Sequence, residues 1–361
     1  MFKKFSMDKD KSFSVIDDNG NLIEANKKIS FSNDKLIDIY KKMLFARQAD
    51  LKAVNYQRQG RMYTYPPNLG QEAISVAAGL VVTDEDWVVP AFRELALWLE
   101  KGVSLKEIFM IFRGDEWGSH FQAAKRILPI SVPIASQLVH ATGLGYSLKY
   151  NKEKNVVFAF VGDGGTSEGD FHEALNFAAV WKVPVIFIIQ NNQFAISVPV
   201  SEQTASKNLA IKSQAYGIPG IKVDGNDVFA MYQVLRESKD YAVEGKGPVL
   251  IEAVTYRKGA HTTSDDPSRY RSKEEENEWG KKDPLSRLQS YLNTLKILDK
   301  IDEEKLKNEF NKKIDLEFEQ AENVEYKLDD VFDYNYTEIP EELKKQKEQY
   351  RQYLKWQGGK R

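Results

Sequence analysis

Between residues 156 and 256, short apolar runs alternate with segments that have helical spacing. Three of these runs are almost wholly apolar: VVFAFV (156–161), VPVIFII (183–189) and PVLIEAVTY (248–256). Such runs are typical of strands buried on both faces, which belong to parallel sheets covered by helices. The segment GIKVDG (220–225) adds a further strand, and a helix is expected from about Asp227. The alternation predicts an α/β fold with a mainly parallel sheet and helices on both of its faces.

The segments on either side of this region have a different character. The first 32 residues are polar and interrupted by Gly and Asn, and the last 61 are highly charged with helical spacing. Between the sheet region and these last residues lies an aperiodic stretch, 257–272, which predicts a long loop. We therefore expect an N-terminal arm (1–32), an α/β domain (33–300) and a C-terminal helical extension (301–361).

The composition excludes several kinds of function. The 361 residues include 51 Lys and Arg and 53 Asp and Glu without a basic block, so nucleic acid is not expected as a partner. The absence of cysteine excludes disulfides, thiolate nucleophiles and Cys-based metal sites. No apolar run reaches 18 residues, and the N-terminal sequence lacks the apolar stretch of a signal peptide. These features predict no membrane span and a cytoplasmic location.

Two helix starts are also predicted from capping residues. Asn33 or Asp34 is expected to cap a helix over 33–54. Ser167 and Asp170 have the spacing of a capping box and precede an apolar stripe.

Two polar motifs directly follow consecutive apolar runs. GDGGTSEGD (162–170) follows the first run, and QNNQF (190–194) follows the second. Because the carboxyl ends of parallel strands meet at one edge of a sheet, Asp163 and Asn192 are expected about 5 Å apart if their strands are neighbours. Two oxygen donors at this separation suit Mg²⁺, which also binds substrate phosphates. The motifs therefore predict an ion that holds a diphosphate against the glycine turn and the following helix N-terminus.

The pattern GDG, two dozen residues and then NN resembles the thiamine diphosphate motif. The likeness continues in AFRELALWLEKGVSLKEIF, GDGGTSEGDFHEALNFAAVWKVPVIFIIQNNQFAIS, IPGIKVDGNDVFAMY, GPVLIEAVTYRKGAHTTSDDPSRYRSKEE and WGKKDPLSR. Over about residues 33–300 the chain is similar to the α subunit of the E1 component of 2-oxoacid dehydrogenases, most of all to the bacterial pyruvate-specific type. The resemblance implies a three-layer thiamine diphosphate-binding fold, with thiamine diphosphate and Mg²⁺ as cofactors.

The resemblance also implies roles around the diphosphate. Mg²⁺ is expected to be bound by Asp163, by the side chain of Asn192 and by the carbonyl of Phe194. Residues expected to lie against or pair with the phosphates are Gly164, Gly165, Arg93 and Arg257. Guanidinium groups suit this role because they form planar, charge-assisted hydrogen bonds.

Further roles concern the rings of the cofactor. Phe92 stands where this family often has Tyr, so a hydroxyl contact is lost. The backbone at Ile134 is expected to meet the aminopyrimidine, and Ile196 to border the thiazolium. His261 matches a loop histidine near the reacting carbon and is the expected catalytic residue.

The resemblance implies an incomplete site in this chain. The carboxylate that activates the aminopyrimidine belongs to the β subunit in this family, so the expected active form is an α2β2 heterotetramer. The implied reaction is decarboxylation of pyruvate and reductive acetylation of a lipoyl group on the E2 acyltransferase. Branched-chain 2-oxoacids and acetoin are alternative substrates.

Two alternative functions, one as a different kind of enzyme and one without catalysis, are less well supported by the sequence. A nicotinamide-dependent oxidoreductase would need G-x-G-x-x-G, but Ser167 stands at the third glycine position and Asp163 would face the pyrophosphate. A non-catalytic scaffold would not need Asp163, Asn192 and His261 to be intact.

Overall fold

The core of the protein is a five-stranded sheet in which every neighbouring pair of strands is parallel. The computed structural model describes residues 11–24, 29–325 and 327–358. Its strands are β1 (Trp87–Val89), β2 (Val157–Gly162), β3 (Val185–Asn191), β4 (Phe194–Ala195), β5 (Val198–Pro199), β6 (Gly220–Asp224) and β7 (Val249–Val254). The order in the parallel sheet is β1-β2-β3-β7-β6. Strands β4 and β5 form a separate antiparallel pair, which the sequence did not predict.

The helices lie before, between and after these strands. Those before β3 are α1 (Asn33–Arg58), α2 (Glu72–Val81), α3 (Leu95–Glu100), α4 (Leu105–Phe112), α5 (Ser136–Tyr150) and α6 (Gly169–Trp181). Those after β3 are α7 (Val200–Gln203), α8 (Val228–Val243), α9 (Lys273–Gly280), α10 (Pro284–Thr294), α11 (Glu303–Glu322), α12 (Leu328–Asp333) and α13 (Glu341–Trp356).

Helices cover both faces of the sheet, which confirms the predicted fold class. Helices α5 and α6 pack on one face, where alternate residues of β2 and β3 point into a fully buried cluster that includes Val157, Ala159, Val185 and Phe187. Helix α8 packs on the other face and is itself covered by α2. Each large apolar side chain fully buried in these layers contributes about 1.5–3 kcal/mol to folding. Burial on both faces explains why the strand sequences carry no alternation of polar and apolar residues.

The register brings the ends of the central strands together. Gly162 at the end of β2 pairs with Gln190 of β3, and Asn191 pairs with Val254 at the end of β7. The residues that follow these three strands therefore meet at one edge of the sheet.

The predicted helix starts are only partly correct. Helix α1 is capped by Ser32, whose side chain accepts from the Lys35 amide, and not by Asn33 or Asp34. The capping box at Ser167 is wrong: residues 164–167 form a 3-10 turn, and α6 begins at Gly169 without a side-chain cap. The chain must curve away from β2 before the helix can begin, and the Ser167 hydroxyl instead accepts a hydrogen bond from Gln203.

Residues 11–24, which belong to the predicted arm, pack against the sheet. Phe13 forms a parallel bridge to Val223 of β6. The amides of Val15 and Ile16 donate to Oδ2 of Asp227, at 2.7 and 2.8 Å. The other oxygen of Asp227 caps α8, which begins where a helix was expected, so one buried carboxylate fixes both segments.

The contacts divide the chain into two units, residues 1–318 and 319–361. In the second unit, α12 and α13 are joined by ion pairs from Lys347 to Asp329 and Asp333. The boundaries predicted at residues 32 and 300 stay predictions. Across the described ranges, no helix combines the length and apolar character needed to cross a membrane.

Candidate active site at the carboxyl edge of the sheet

A cavity of about 270 Å³ lies where β1, β2 and β3 end. All of the site residues predicted from the sequence line it: Phe92, Arg93, Ile134, Asp163, Gly164, Gly165, Asn192, Phe194, Ile196, Arg257 and His261. Parallel sheets place their ligand sites at this edge because the loops leaving the strands surround a common crevice.

Asp163 presents an unpartnered oxygen at this cavity. Its side chain is buried, and Oδ1 accepts from the amide of Asn192 at 3.3 Å. Its Oδ2 atom has no hydrogen-bond partner among the described residues. Burial raises the pKa of Asp163 to about 6, although hydrogen bonds and the two nearby arginines oppose the rise. A buried carboxylate oxygen in this state suits a bound cation, which would compensate its lost solvation.

The other two predicted ion ligands line the same cavity as Asp163. Asn192 Oδ1 accepts from the amide of Phe194 at 3.4 Å, and Asn192 Nδ2 donates to Oε1 of Gln71 at 3.4 Å. The carbonyl of Phe194 accepts from Arg257 at 3.1 Å. Within the described ranges, no three His, Cys, Asp or Glu side chains are grouped so that they could hold a metal. The predicted set contains a single carboxylate, so an ion here would need further oxygen ligands from a bound anion or water.

Two buried arginines line the same cavity. Arg93 donates to the carbonyls of Pro67 and His261, and Arg257 donates to the carbonyls of Phe194 and Ile196. Neither forms an ion pair with a carboxylate of the described residues. Burial and the charge of Arg257 lower the pKa of Arg93 to about 9. Two cations without counter-ions favour a polyanionic ligand.

His261 lies between these two arginines. Its Nδ1 atom is 3.2 Å from a terminal nitrogen of Arg93 and 3.3 Å from one of Arg257. Because both arginines can only donate, Nδ1 must accept, which leaves the ring proton on Nε2. Burial and the two positive charges lower the pKa of His261 to about 4. The imidazole is therefore neutral at physiological pH and carries an N–H donor.

The loop that carries His261 is held in place by acidic and phenolic groups. Asp265 accepts from the amide of His261 at 2.6 Å and from the hydroxyl of Tyr270. The same Tyr270 hydroxyl accepts from Arg257 at 3.0 Å. The predicted long loop is confirmed, and these bonds connect it to the cavity.

Ile196 adopts a backbone conformation that is unusual for its residue type. Its φ is +56°, in the left-handed region that a β-branched side chain rarely enters. It lies in the turn between β4 and β5, and its carbonyl accepts from Arg257. Strain of this kind persists where surrounding bonds fix the backbone, and it concentrates at functional sites.

The glycines after Asp163 are required by packing. A Cβ on Gly164 would lie 2.6 Å from the Cβ of Ala195, and one on Gly165 would lie 2.4 Å from Cγ2 of Val161. Both glycines line the cavity, so the turn brings bare backbone to its wall.

Sequence reasoning missed several polar residues of this site. Gln71, Gln137 and Gln190 are buried and line the cavity, and each has one amide atom without a partner among the described residues. Glu94 lies buried behind the wall and accepts from Gln190, and burial raises the pKa of Glu94 to about 7. Gln71 and Gln137 lie outside the motifs described above, and nothing in the motifs around Gln190 and Glu94 assigned a role to these two residues. Only the tertiary structure identifies all four.

Comparisons with known proteins agree with this architecture. The dehydrogenase E1 component family matches residues 40–328. The chain is 43% identical over 344 residues to the pyruvate dehydrogenase E1 component subunit alpha of Mycoplasma genitalium, covering 95% of this chain and 96% of that protein. It is 44% identical over 343 residues to the protein of the same name from Acholeplasma laidlawii, covering 94% and 99%. It is 43% identical over 317 residues to the 3-methyl-2-oxobutanoate dehydrogenase subunit alpha of Mycobacterium tuberculosis, covering 88% and 86%. The chain belongs to the dehydrogenase E1 component family.

Proposed function

We propose that this chain is the α subunit of a pyruvate dehydrogenase E1 component that uses thiamine diphosphate and Mg²⁺. The relatives from Mycoplasma genitalium and Acholeplasma laidlawii carry this name and match the chain over nearly its whole length. The observation that carries the proposal is the unpartnered oxygen of Asp163 in one cavity with two buried arginines. A carboxylate for a cation and two guanidiniums for an anion together suit a metal diphosphate.

The residues present fit the cofactor that this family uses, thiamine diphosphate. Asp163 and Asn192 would hold Mg²⁺, with the carbonyl of Phe194 as a third ligand if Arg257 releases it. Arg93 and Arg257 would pair with the phosphates. When bound, the cofactor supplies the electron sink for decarboxylation.

The side chains of this chain would bind and orient the cofactor and the substrate, and they would exclude water from the site. His261 is neutral and has its proton on Nε2, so it would donate a hydrogen bond to an oxygen of the substrate or the transferred acyl group. Ile134 and Ile196 would border the cofactor rings, and the hydroxyl-free Phe92 would contribute only an apolar surface.

The proposed partners are a β subunit, in an α2β2 heterotetramer, and the lipoyl group of an E2 acyltransferase. The exposed apolar surface beside the cavity supports the first of these. Ile134 and Ile196 line the cavity and are 47% and 58% exposed. Further along α5 and α6, away from the cavity lining, Tyr146, Phe177 and Val180 are also exposed, at 46%, 46% and 68%. Apolar surface next to an open cavity is typical of an interface, and the β subunit would supply the carboxylate that activates the aminopyrimidine.

Co-expression with a β chain tests the proposal. We expect the purified complex to decarboxylate pyruvate only when thiamine diphosphate and Mg²⁺ are both present, and the α chain alone to be inactive. Turnover by the α chain alone would contradict the need for a partner. A cofactor-loaded complex that acts on no 2-oxoacid would contradict the function.

A branched-chain 2-oxoacid is the second candidate substrate. The Mycobacterium tuberculosis relative named for 3-methyl-2-oxobutanoate has the same identity to this chain, 43%, as the Mycoplasma genitalium relative, over 317 instead of 344 residues. The ratio of kcat/KM for pyruvate to that for 3-methyl-2-oxobutanoate decides between them. We expect pyruvate to be preferred by at least tenfold, and the reverse ratio would assign the second function.

A further inference from the structure

Gln71 has a buried side-chain NH₂ group without a hydrogen-bond partner among the described residues. It is the N-cap residue of α2, but its side chain does not cap the helix. It is only 1% exposed and lines the cavity. Its Oε1 atom accepts from Nδ2 of Asn192, and its Nε2 atom has no partner among the described residues.

The surrounding hydrogen bonds fix which way this amide points. The amide of Phe194 donates to Oδ1 of Asn192, so Nδ2 is the end of Asn192 that faces Gln71. An amide N–H group can only donate, so the end of Gln71 that receives it must be Oε1. The NH₂ group of Gln71 is therefore the unpaired end, and buried donors are rarely left unpaired.

We infer that Gln71 is a positioning residue with two tasks in the proposed cofactor site. Through Oε1 it holds the carboxamide of Asn192, so that Oδ1 of Asn192 is directed away from Gln71. Through Nε2 it donates to an anionic oxygen of the diphosphate class, in the same cavity as the two arginines. This inference rests on the proposed function.

Two substitutions separate these tasks. Gln71→Glu keeps an acceptor for Asn192 but removes the donor, whereas Gln71→Met removes both and adds no charge. Gln233→Glu, on α8 and outside the cavity lining, controls for an added carboxylate. Each variant is assembled with the β chain. Thiamine diphosphate is titrated by calorimetry at saturating Mg²⁺, and Mg²⁺ is titrated at saturating thiamine diphosphate.

We expect both Gln71 variants to bind thiamine diphosphate at least tenfold more weakly than the wild type. The Mg²⁺ half-saturation concentration should rise only in Gln71→Met, and Gln233→Glu should match the wild type in both titrations. Unchanged thiamine diphosphate affinity in Gln71→Met would overturn the donor role, and unchanged Mg²⁺ half-saturation there would overturn the positioning role. If the wild-type complex itself binds no thiamine diphosphate, the proposed function fails together with this inference. Thermal unfolding without ligand shows whether a variant is misfolded, and Gln71→Asn then replaces a misfolded variant. Gln71→Asn should bind thiamine diphosphate more weakly than the wild type because its side chain is too short to place the amide at the same point.

Discussion

Replacing Asp163 by Asn should stabilise the ligand-free protein while removing its response to the cofactor. Burial raises the pKa of Asp163 from 3.8 to about 6. At neutral pH this corresponds to a penalty of about 3 kcal/mol in the free energy of unfolding. The amide of the variant leaves a buried NH₂ group unpaired, which lowers the free energy of unfolding of the variant by about 1 kcal/mol. We therefore expect Asp163→Asn to be about 2 kcal/mol more stable at pH 7 without ligand.

The pH dependence of this difference follows from the sign of the shift. The folded protein binds the Asp163 proton more tightly than the unfolded chain, so wild-type stability falls as the pH rises from about 4 to about 6. The amide of Asp163→Asn does not titrate, so the difference in the free energy of unfolding between variant and wild type should disappear near pH 4. With Mg²⁺ and thiamine diphosphate at 100 times the dissociation constant, the wild type should gain about 2.7 kcal/mol and the variant almost nothing.

Urea unfolding of the full-length chain, followed by circular dichroism in EDTA from pH 4 to 8, measures these differences. The ligand response is measured in the assembled complex. Asp84→Asn, at an exposed position, is the matched control and should change little. A variant that is less stable than the wild type at pH 7, or a difference that does not vary with pH, would refute the reasoning.

Two further predictions concern a histidine and an ion-pair network. His261→Ala should retain cofactor affinity within about threefold and slow reductive acetylation more than decarboxylation, because His261 lines the cavity as a neutral donor. Single-turnover assays measure the rate of each half-reaction, and an equal fall in both rates would contradict this role. Although burial opposes it, Arg47, Lys258 and a backbone amide hold the pKa of Asp283 at about 2. The stabilisation that ionised Asp283 gives to the folded protein is therefore complete above about pH 4 and is lost as the pH falls towards 2. Asp283→Asn should lower the free energy of unfolding at pH 7 by about 2 kcal/mol, and the loss should shrink in urea titrations towards pH 2.

The neighbouring positions of Asp163 and Asn192 could be predicted from the sequence because parallel strands impose them. Two apolar strands joined by a helix can form few arrangements other than parallel strands of one sheet. The polar residues that follow the two strands then lie at the same edge of that sheet. The observed pairing of Gly162 with Gln190 confirms this geometry. Arg93 and Arg257, by contrast, are 164 positions apart and were placed only through the resemblance to a family.

Other features depended on tertiary structure and could not be predicted. The positive φ of Ile196 contradicts the local preference of a β-branched residue, and bonds from Arg257 hold that turn. The expected cap at Ser167 failed because the turn after β2 displaces the start of α6. Gln71 is 121 residues from Asn192, so no local pattern links them.

The crowding around Gly164 and Gly165 limits what a mutational scan can reveal. Any side chain at these positions collides with Ala195 or Val161 before it reaches a ligand. Alanine variants will therefore lose activity whatever molecule the enzyme uses, and their failure carries no information about chemistry. Informative substitutions are those at Asp163 and Gln71, where shape can be kept while charge or donor capacity is changed.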